Sequence, residues 1–206
     1  MQASRSKARR QLLVGLIAVA LIPAATLAIP SPLRALAPGL FGLVCEDRVC
    51  VDDARRLAEA QELVRSARAD VAQKLGAPHT LPLALFCSSA QCFLTFGKRR
   101  STAETFGGKA ILIGPRGWAA HFVRHELIHA AQYEKLGFIR AWRGPRWMIE
   151  GMAYSLSEDP RRPLPTELEG WRTQYERRFD GERGAALWAR VEALYSSGQA
   201  RVEWKR

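Results

Sequence analysis

Apolar residues recur at helical spacing in the segment from Leu57 to Leu75. The acidic pair at 52–53 precedes this segment and can cap a helix, and Gly76 stands just past its last apolar position. The apolar positions fall on one stripe, which is typical of a helix that packs one face against a core. We therefore predict a packing helix here.

Two short apolar runs lie downstream, and both are bounded by proline or glycine. They cover Leu81 to Cys87 and Gly108 to Gly114. Runs of this length with such boundaries are typical of β-strands. Helical periodicity then returns in four segments, at 118–136, 146–157, 166–179 and 182–197. The order of one helix, then strands, then helices predicts an α+β fold.

The first 37 residues have a different character. Basic residues precede an uncharged, mostly apolar run at 11–33, which is long enough to cross roughly 30 Å of hydrocarbon as a helix. Positive charge before such a span predicts that the N-terminus stays in the cytoplasm and that the remainder lies outside it. We expect a single-pass anchor in the cytoplasmic membrane; the alternative is a signal cleaved near 26–28, which releases a secreted protein. Residues 1–37 are assigned to this segment, and 38–206 to one exported domain.

The net charge of +11 does not by itself indicate a nucleic-acid partner. Five positive charges flank the apolar run and serve its topology, namely Arg5, Lys7, Arg9, Arg10 and Arg34. The others are interspersed with acids, as at 167–183, and no basic stripe with interleaved aromatic residues is found. For Arg140, Arg143 and Arg146 we favour a solvated loop over attraction to anionic lipid headgroups or an acidic substrate. The charge pattern therefore argues against nucleic-acid binding.

Four cysteines form two equally spaced pairs on the exported side, Cys45 with Cys50 and Cys87 with Cys92. Because an oxidising compartment favours disulfides, we expect all four to be bonded. Three connectivities are possible, and we favour the two local pairs, which close short loops. The alternative is a four-thiolate zinc site, although structural zinc usually takes cysteine pairs with tighter spacing.

The stretch HELIH, residues 125–129, holds two of the four histidines of the chain. His125 and His129 stand one turn apart on the predicted helix, so both imidazoles can reach one metal ion at about 2.0–2.1 Å. Glu126 lies about 100° round the helix, where it can hold a metal-bound water. This arrangement suits peptide-bond hydrolysis, with zinc acidifying the water and Glu126 taking its proton. The alternative is a histidine pair that is solvated or hydrogen-bonded on a helix face.

A second pair at the same spacing, His121 with His125, makes the register ambiguous. His121 is followed by Phe122 and not by an acid, so only the later pair has an adjacent base. His121 and His129 lie about 12 Å apart along the helix axis, so one metal ion is not expected to bind all three. We expect His121 to lie at the surface, or to contact the metal ligands without itself binding the metal ion.

A catalytic zinc with two helix histidines needs a third protein ligand and an open position. In the metzincin pattern, glycine and histidine would stand where this chain has Gln132 and Lys135, which excludes that family. The other known solution is a glutamate on the next helix. Glu150 offers it, with twenty residues between it and His129. The alternative for Glu150 is a solvent-facing acid near the start of a helix.

HELIH followed by the W-x-x-E-G-x-A stretch at 147–153 resembles the gluzincin metallopeptidases, which include thermolysin and the aminopeptidase N group. The stretch is most similar to that of their small bacterial membrane-associated members. The resemblance covers roughly residues 80–156.

The resemblance implies a zincin-like α+β domain with a small sheet and one zinc ion per chain. The ligands would be His125, His129 and Glu150, and Glu126 would be the general base. The substrate would be a peptide or protein, and the N-terminal helix would hold the domain at the membrane. The alternative function is a non-catalytic zinc-binding or scaffold relative in the cell envelope, which would have no need of the base.

The resemblance also assigns roles to a strand and to two small residues. In such folds a strand along the cleft pairs with extended substrate, and the segment 107–115 fits this role while Ile111 and Ile113 face the core. Gly151 and Ala153 would let the glutamate helix pack close to the histidine helix.

The chain departs from the family pattern after the glutamate. Relatives often have an acid four residues later, which orients a zinc histidine, and then a tyrosine; this chain has Tyr154 and Ser155 there. A phenol accepts a ring N–H less strongly than a carboxylate, and Glu158 or Asp159 could substitute. Four residues are eligible to stabilise an oxyanion, namely Tyr154, Tyr175, Tyr195 and His79.

Overall fold

The computed structural model describes residues 29–97, 100–179 and 181–201, and it has an α+β fold. The strands are β1 Val44–Glu46, β2 Val49–Val51, β3 Leu83–Phe86, β4 Ala103–Phe106 and β5 Ala110–Ile113. The α-helices are α1 Ser31–Leu36, α2 Leu57–Leu75, α3 Ala90–Thr95, α4 Ala120–Arg143, α5 Arg146–Leu156, α6 Thr166–Phe179 and α7 Gly184–Ser196. Short 3-10 turns at Pro38–Phe41 and Ala54–Arg56 precede β1 and α2.

Each predicted helix and strand is present, although some ends differ. Asp53 caps the turn before α2 by accepting a hydrogen bond from the Arg55 N–H, and α2 ends at Gly76 as predicted. The helical geometry of α4 stops at Gly137, as the sequence pattern predicts, and it resumes after this residue as far as Arg143. Gly137 breaks the helical geometry with φ 75°, a value that glycine adopts without a steric penalty.

The five strands form one sheet in the order β1-β2-β3-β5-β4. Strands β2, β3 and β5 are parallel, whereas each edge strand is antiparallel to its neighbour. The expectation that the strand at 107–115 pairs with extended substrate is wrong, because β5 is already paired with β3 on one side and β4 on the other, and all four of its residues are buried. A continuous apolar run suits a strand that is covered on both faces. The edge next to α4 belongs to β4, whose sequence is more polar.

Side chains of the sheet feed two apolar clusters, one on each face. Ile111 and Ile113 pack into the larger cluster together with residues of α2, α4 and α5, which confirms that they face the core. Ala110 and Leu112 point the other way, into a smaller cluster that also contains residues of α1 and α3. The alternation follows from the period of two in a β-strand.

Both predicted local disulfides are present. Cys45 is bonded to Cys50 across the β1–β2 pair, and Cys87 is bonded to Cys92 at the start of α3. All four cysteines lie in the described part of the chain and none is free, so they do not form a four-thiolate zinc site. The disulfides border the smaller cluster, in which Cys50, Cys87 and Cys92 are buried.

Most of the predicted membrane segment at 11–33 lies outside the described residues, which begin at 29. Within the described ranges, no helix is both long enough and apolar enough to cross a bilayer.

Helix α5 packs closely against α6 at Gly151. A Cβ atom at this position would lie 2.4 Å from the Trp171 carbonyl oxygen and 2.9 Å from the Tyr175 Cβ. The expectation that Gly151 serves the contact with the histidine helix is therefore wrong, because the contact it makes possible is with α6. Ala153 is fully buried in the larger cluster.

Candidate metal centre

The two histidines of HELIH and Glu150 converge where α4 meets α5. Nε2 of His125 lies 3.1 Å from Nε2 of His129, and Oε2 of Glu150 lies 3.6 Å and 3.5 Å from these nitrogens. Donor atoms around a tetrahedral ion with bonds of about 2.0–2.1 Å are roughly 3.3 Å apart, so the spacing fits. The group can hold a metal ion, and two imidazoles with one carboxylate are a donor set that zinc and other first-row ions accept.

The orientation of His129 is fixed by Gln132, a residue for which the sequence pattern predicts no role. Oε1 of Gln132 lies 2.8 Å from Nδ1 of His129, and Nε2 of Gln132 donates to the Ile149 carbonyl oxygen at 2.8 Å. Because the amide oxygen accepts the Nδ1 proton, Nε2 of His129 is directed at Glu150. Gln132 is only 1% exposed, so the amide ties α4 to the residue that precedes Glu150. Its position three residues after His129 on one helix face was the available sequence signal.

Glu126 is buried beside the ligand cluster but does not join it. In the described part of the chain, the cluster comprises His125, His129 and Glu150 alone. Oγ1 of Thr105, on β4, lies 2.5 Å from Oε2 of Glu126 and 3.0 Å from the Glu126 carbonyl oxygen, so its single proton is donated to one of them at a time. Burial raises the pKa of Glu126, and the neighbouring histidines and Thr105 offset this effect only in part.

The charges of the cluster are strongly coupled. Burial by itself raises the pKa of Glu150, but interactions with His129 and His125 outweigh it and lower the pKa below its usual value. Burial lowers the pKa of His129, yet Glu150, Glu126 and the bond to Gln132 raise it to about 9.

Arg146 adds a contact that sequence reasoning missed, since it donates to Oε1 of Glu150 at 3.2 Å. This contact leaves Oε2 of Glu150 on the histidine side. The expectation of a solvated loop around Arg146 is also wrong. Arg140 and Arg143 lie in the last turn of α4, and Arg146 is the first residue of α5.

His121 does not belong to the cluster. Its ring packs against Phe122 with the centroids 4.2 Å apart, and it is half-buried. Burial lowers its pKa, an effect that Asp159 opposes only in part. Its Nε2 is buried and has no hydrogen-bond partner within the described ranges. The structure thus resolves the register in favour of the 125/129 pair.

Tyr154 lies against His125 of the candidate metal centre. Its ring centroid is 4.6 Å from that of His125, and it lines the cleft. Burial and the charge of Glu150 raise the pKa of Tyr154 to about 12, so its hydroxyl keeps its proton at neutral pH and can donate it in a hydrogen bond.

The other candidates for oxyanion stabilisation are engaged or placed elsewhere. Tyr195 donates to the Arg140 carbonyl oxygen at 3.2 Å, Tyr175 is buried in the core, and His79 is exposed. None of these three lines the cleft. Glu158 and Asp159 were the candidates to orient a zinc histidine in place of the missing acid. Each has another partner: Glu158 pairs with Lys74, and Asp159 pairs with Arg161.

A cleft of about 500 Å³ opens over the cluster. One wall is the edge strand β4 with the residues just before it, and the other walls come from α4 and α5. Besides the residues already described, it is lined by Ser101, Thr102, Ala103, Glu104, Phe122, Tyr133, Ala141, Trp142, Ile149 and Arg161. The cleft therefore places the candidate metal ligands, Glu126 and the edge strand β4 side by side.

Comparisons with known proteins do not assign this chain to a family. No protein-family model matches it, and no curated protein or solved structure matches it. The functional assignment therefore depends on the motifs and the geometry.

Proposed function

We propose that this protein is a zinc-dependent peptidase of gluzincin type. The observation that carries the proposal is that His125, His129 and Glu150 converge beside a buried Glu126 in a single open cleft. When bound to such a group, zinc lowers the pKa of water and polarises a carbonyl group. A site with three protein donors would leave coordination positions open for the water and for the carbonyl oxygen of the substrate.

Glu126 is the proton carrier in this proposal. Its carboxylate accepts a proton from the attacking water and delivers it to the leaving amine. Burial raises the pKa of Glu126, which makes its carboxylate a stronger base towards the water. Thr105 holds the carboxylate in place, and the hydroxyl of Tyr154 is available to donate to the substrate carbonyl oxygen.

The substrate is proposed to be a peptide or protein that binds along β4. This strand pairs with β5 on one side, and its other side has no strand partner among the described residues. An extended peptide can add to such an edge by β-augmentation, with backbone hydrogen bonds for affinity. The edge runs past Thr105, so a peptide bound there passes Glu126.

The proposal includes a location outside the cytoplasm with an N-terminal membrane anchor. The two disulfides support it, because they persist in oxidising compartments. A non-catalytic zinc-binding relative in the cell envelope could have the same three ligands. The buried Glu126 and its contact to Thr105 argue against this alternative, since a metal-holding scaffold has no need of a base.

Two glutamate variants test the proposal. Glu126→Gln is expected to keep one zinc per chain while lowering the turnover of a peptide library by about 10²–10⁴-fold, because the amide cannot accept a proton. Glu150→Gln is expected to weaken zinc binding by on the order of tenfold or more, because a neutral amide is a poorer ligand than a carboxylate. His121→Ala is the matched control and should change neither property.

Zinc content and peptidase rate are measured on all three variants. Loss of zinc from Glu126→Gln, or full zinc affinity in Glu150→Gln, would show that the site is assigned wrongly. A wild-type protein that binds zinc and cleaves no member of an unbiased library would favour the scaffold alternative.

A further inference from the structure

Three large apolar side chains are exposed together at the end of α4. Phe138, Ile139 and Trp142, which we call the 138–142 patch, are 56%, 46% and 53% exposed. The rings of Phe138 and Trp142 lie 5.7 Å apart, and Tyr133 extends the row with its ring 5.7 Å from that of Phe138. Contiguous apolar side chains at a surface usually mark an interaction site.

The fold holds this patch at the mouth of the cleft. The break at Gly137 redirects the chain just before Phe138, and the turn between β4 and β5 lies beside it. A Cβ atom on Gly107 would be 3.7 Å from the Phe138 ring. At the other end of the patch, Trp142 lines the cleft itself. Anything that covers the patch therefore lies next to the cleft opening.

Basic residues lie next to the patch along the chain. Every charged residue from 135 to 149 is a lysine or arginine, namely Lys135, Arg140, Arg143 and Arg146. Arg140 pairs with Glu192 and Arg146 pairs with Glu150, so the rim that we consider consists of Lys109, Lys135 and Arg143. The guanidinium of Arg143 stacks over the Trp142 ring at 4.6 Å. Lys135 is exposed, and so is Lys109, which lies in the turn beside Phe138. A patch with an apolar centre and a positively charged rim is complementary to a surface whose outer layer is negatively charged and whose interior is apolar.

We propose that the 138–142 patch and its basic rim contact the surface of a bilayer that carries anionic headgroups. The aromatic and aliphatic side chains enter the interfacial region, while the lysine and arginine side chains reach the phosphates. A second copy of the chain is a poorer occupant, because two identical basic rims would repel each other. The proposal goes beyond the proposed function by placing the cleft mouth at the membrane, where membrane-proximal peptide segments are within reach. It does not depend on peptidase activity or on how 11–33 is placed.

Quenching of tryptophan fluorescence by brominated lipids tests the contact in the full chain. The protein is reconstituted into phosphatidylcholine vesicles in which about a third of the lipid is phosphatidylglycerol, with and without bromine on the acyl chains. The fluorescence of the Trp142→Phe variant is subtracted from that of the wild-type protein, and the difference is the emission of Trp142. We expect brominated lipid to quench this difference signal about twofold or more, because interfacial apolar groups reach about 5–10 Å into the headgroup and acyl boundary.

Charge variants test the role of the rim. Lys109→Glu combined with Lys135→Glu should remove most of the Trp142 quenching in vesicles with phosphatidylglycerol. Arg177→Glu combined with Arg183→Glu changes the net charge equally at exposed positions on α6 and just before α7, and it should leave the quenching in place.

Two results would overturn the proposal. The first is a Trp142 signal that brominated lipid does not quench. The second is a Trp142 signal that becomes protected from an aqueous quencher on reconstitution but is not quenched by brominated lipid. That result would indicate that another protein, such as a second copy of the chain, covers the patch. Neither readout involves turnover, so failure here is distinguishable from failure of the proposed function.

Discussion

A buried amide connects the two helices that carry the candidate metal ligands. Gln132 accepts from the His129 ring and donates to the carbonyl oxygen of Ile149, the residue before Glu150. Gln132 therefore positions both the His129 ring and the backbone next to Glu150, although it does not contact the Glu150 carboxylate. Partners of this kind commonly set the orientation and basicity of a ligating histidine.

Replacing this amide should weaken metal binding. We expect Gln132→Met to lower the zinc affinity by about 10–100-fold, because the His129 ring loses the acceptor that orients it. The Ile149 carbonyl also loses its donor, which should destabilise the metal-free protein by about 1–3 kcal/mol. Zinc affinity is therefore measured by competition with a chelator on folded protein, alongside urea unfolding. Gln73→Met, at an exposed position of α2, is the control. Unchanged zinc affinity in Gln132→Met would rule out this role.

Thr105 is the corresponding support for the proposed base. Thr105→Val keeps the shape of the side chain and removes the hydroxyl that lies 2.5 Å from Glu126. We expect the peptidase rate to fall by about tenfold with zinc content unchanged, since one hydrogen bond to a charged group is lost. Thr95→Val is the control, because the Thr95 hydroxyl bonds to the Gln91 carbonyl within α3. If both variants retained the wild-type rate, Thr105 would have no part in holding the base.

At the scale of elements, α5 is positioned by neighbours on two sides. Gln132 ties it to α4, and Gly151 lets it approach α6. Arg124, one residue before His125, donates to Asp70 of α2 at 2.8 Å and to the Ser157 carbonyl oxygen at 2.7 Å. These contacts fix where Glu150 meets the histidine pair.

The two glycines of this region should respond in opposite directions to alanine. Gly151→Ala introduces a Cβ atom 2.4 Å from the Trp171 carbonyl oxygen, so the free energy of unfolding should fall by about 1–3 kcal/mol. Gly170→Ala, on α6, meets no atom within 4 Å and should raise it by about 0.5–1 kcal/mol, because alanine is the better helix former. Urea unfolding of both variants makes the comparison. A Gly151→Ala protein as stable as wild type would mean that α5 and α6 are not packed this closely.

At the scale of the whole molecule, the expected topology places the cleft outside the cytoplasm. We expect a protease added to spheroplasts to degrade the domain that follows about residue 33, because positive charge before the apolar run keeps the N-terminus inside. Digestion of a periplasmic marker and of the detergent-released protein are the controls. A domain that resists protease while both controls are digested would contradict the topology.

The sequence by itself determined the elements and the residues of the candidate metal centre. The apolar stripe of α2 and the runs of β3 and β5 are local patterns, and local patterns follow directly from the periods of helix and strand. The spacing of His125 and His129 is fixed within one helix turn, so the pair was available from five residues. The position of Glu150 followed from the resemblance, and the structure brings it to the pair.

The tertiary structure decided which surfaces meet. Strand order made β4 the edge of the sheet instead of β5, and it brought Thr105 to Glu126, 21 residues further along the chain. The partner of Gly151 and the exposure of the 138–142 patch were likewise settled by how the helices pack. Such contacts depend on the packing of elements that are distant in sequence, and a periodic pattern specifies which face of an element is apolar but not which element will cover it.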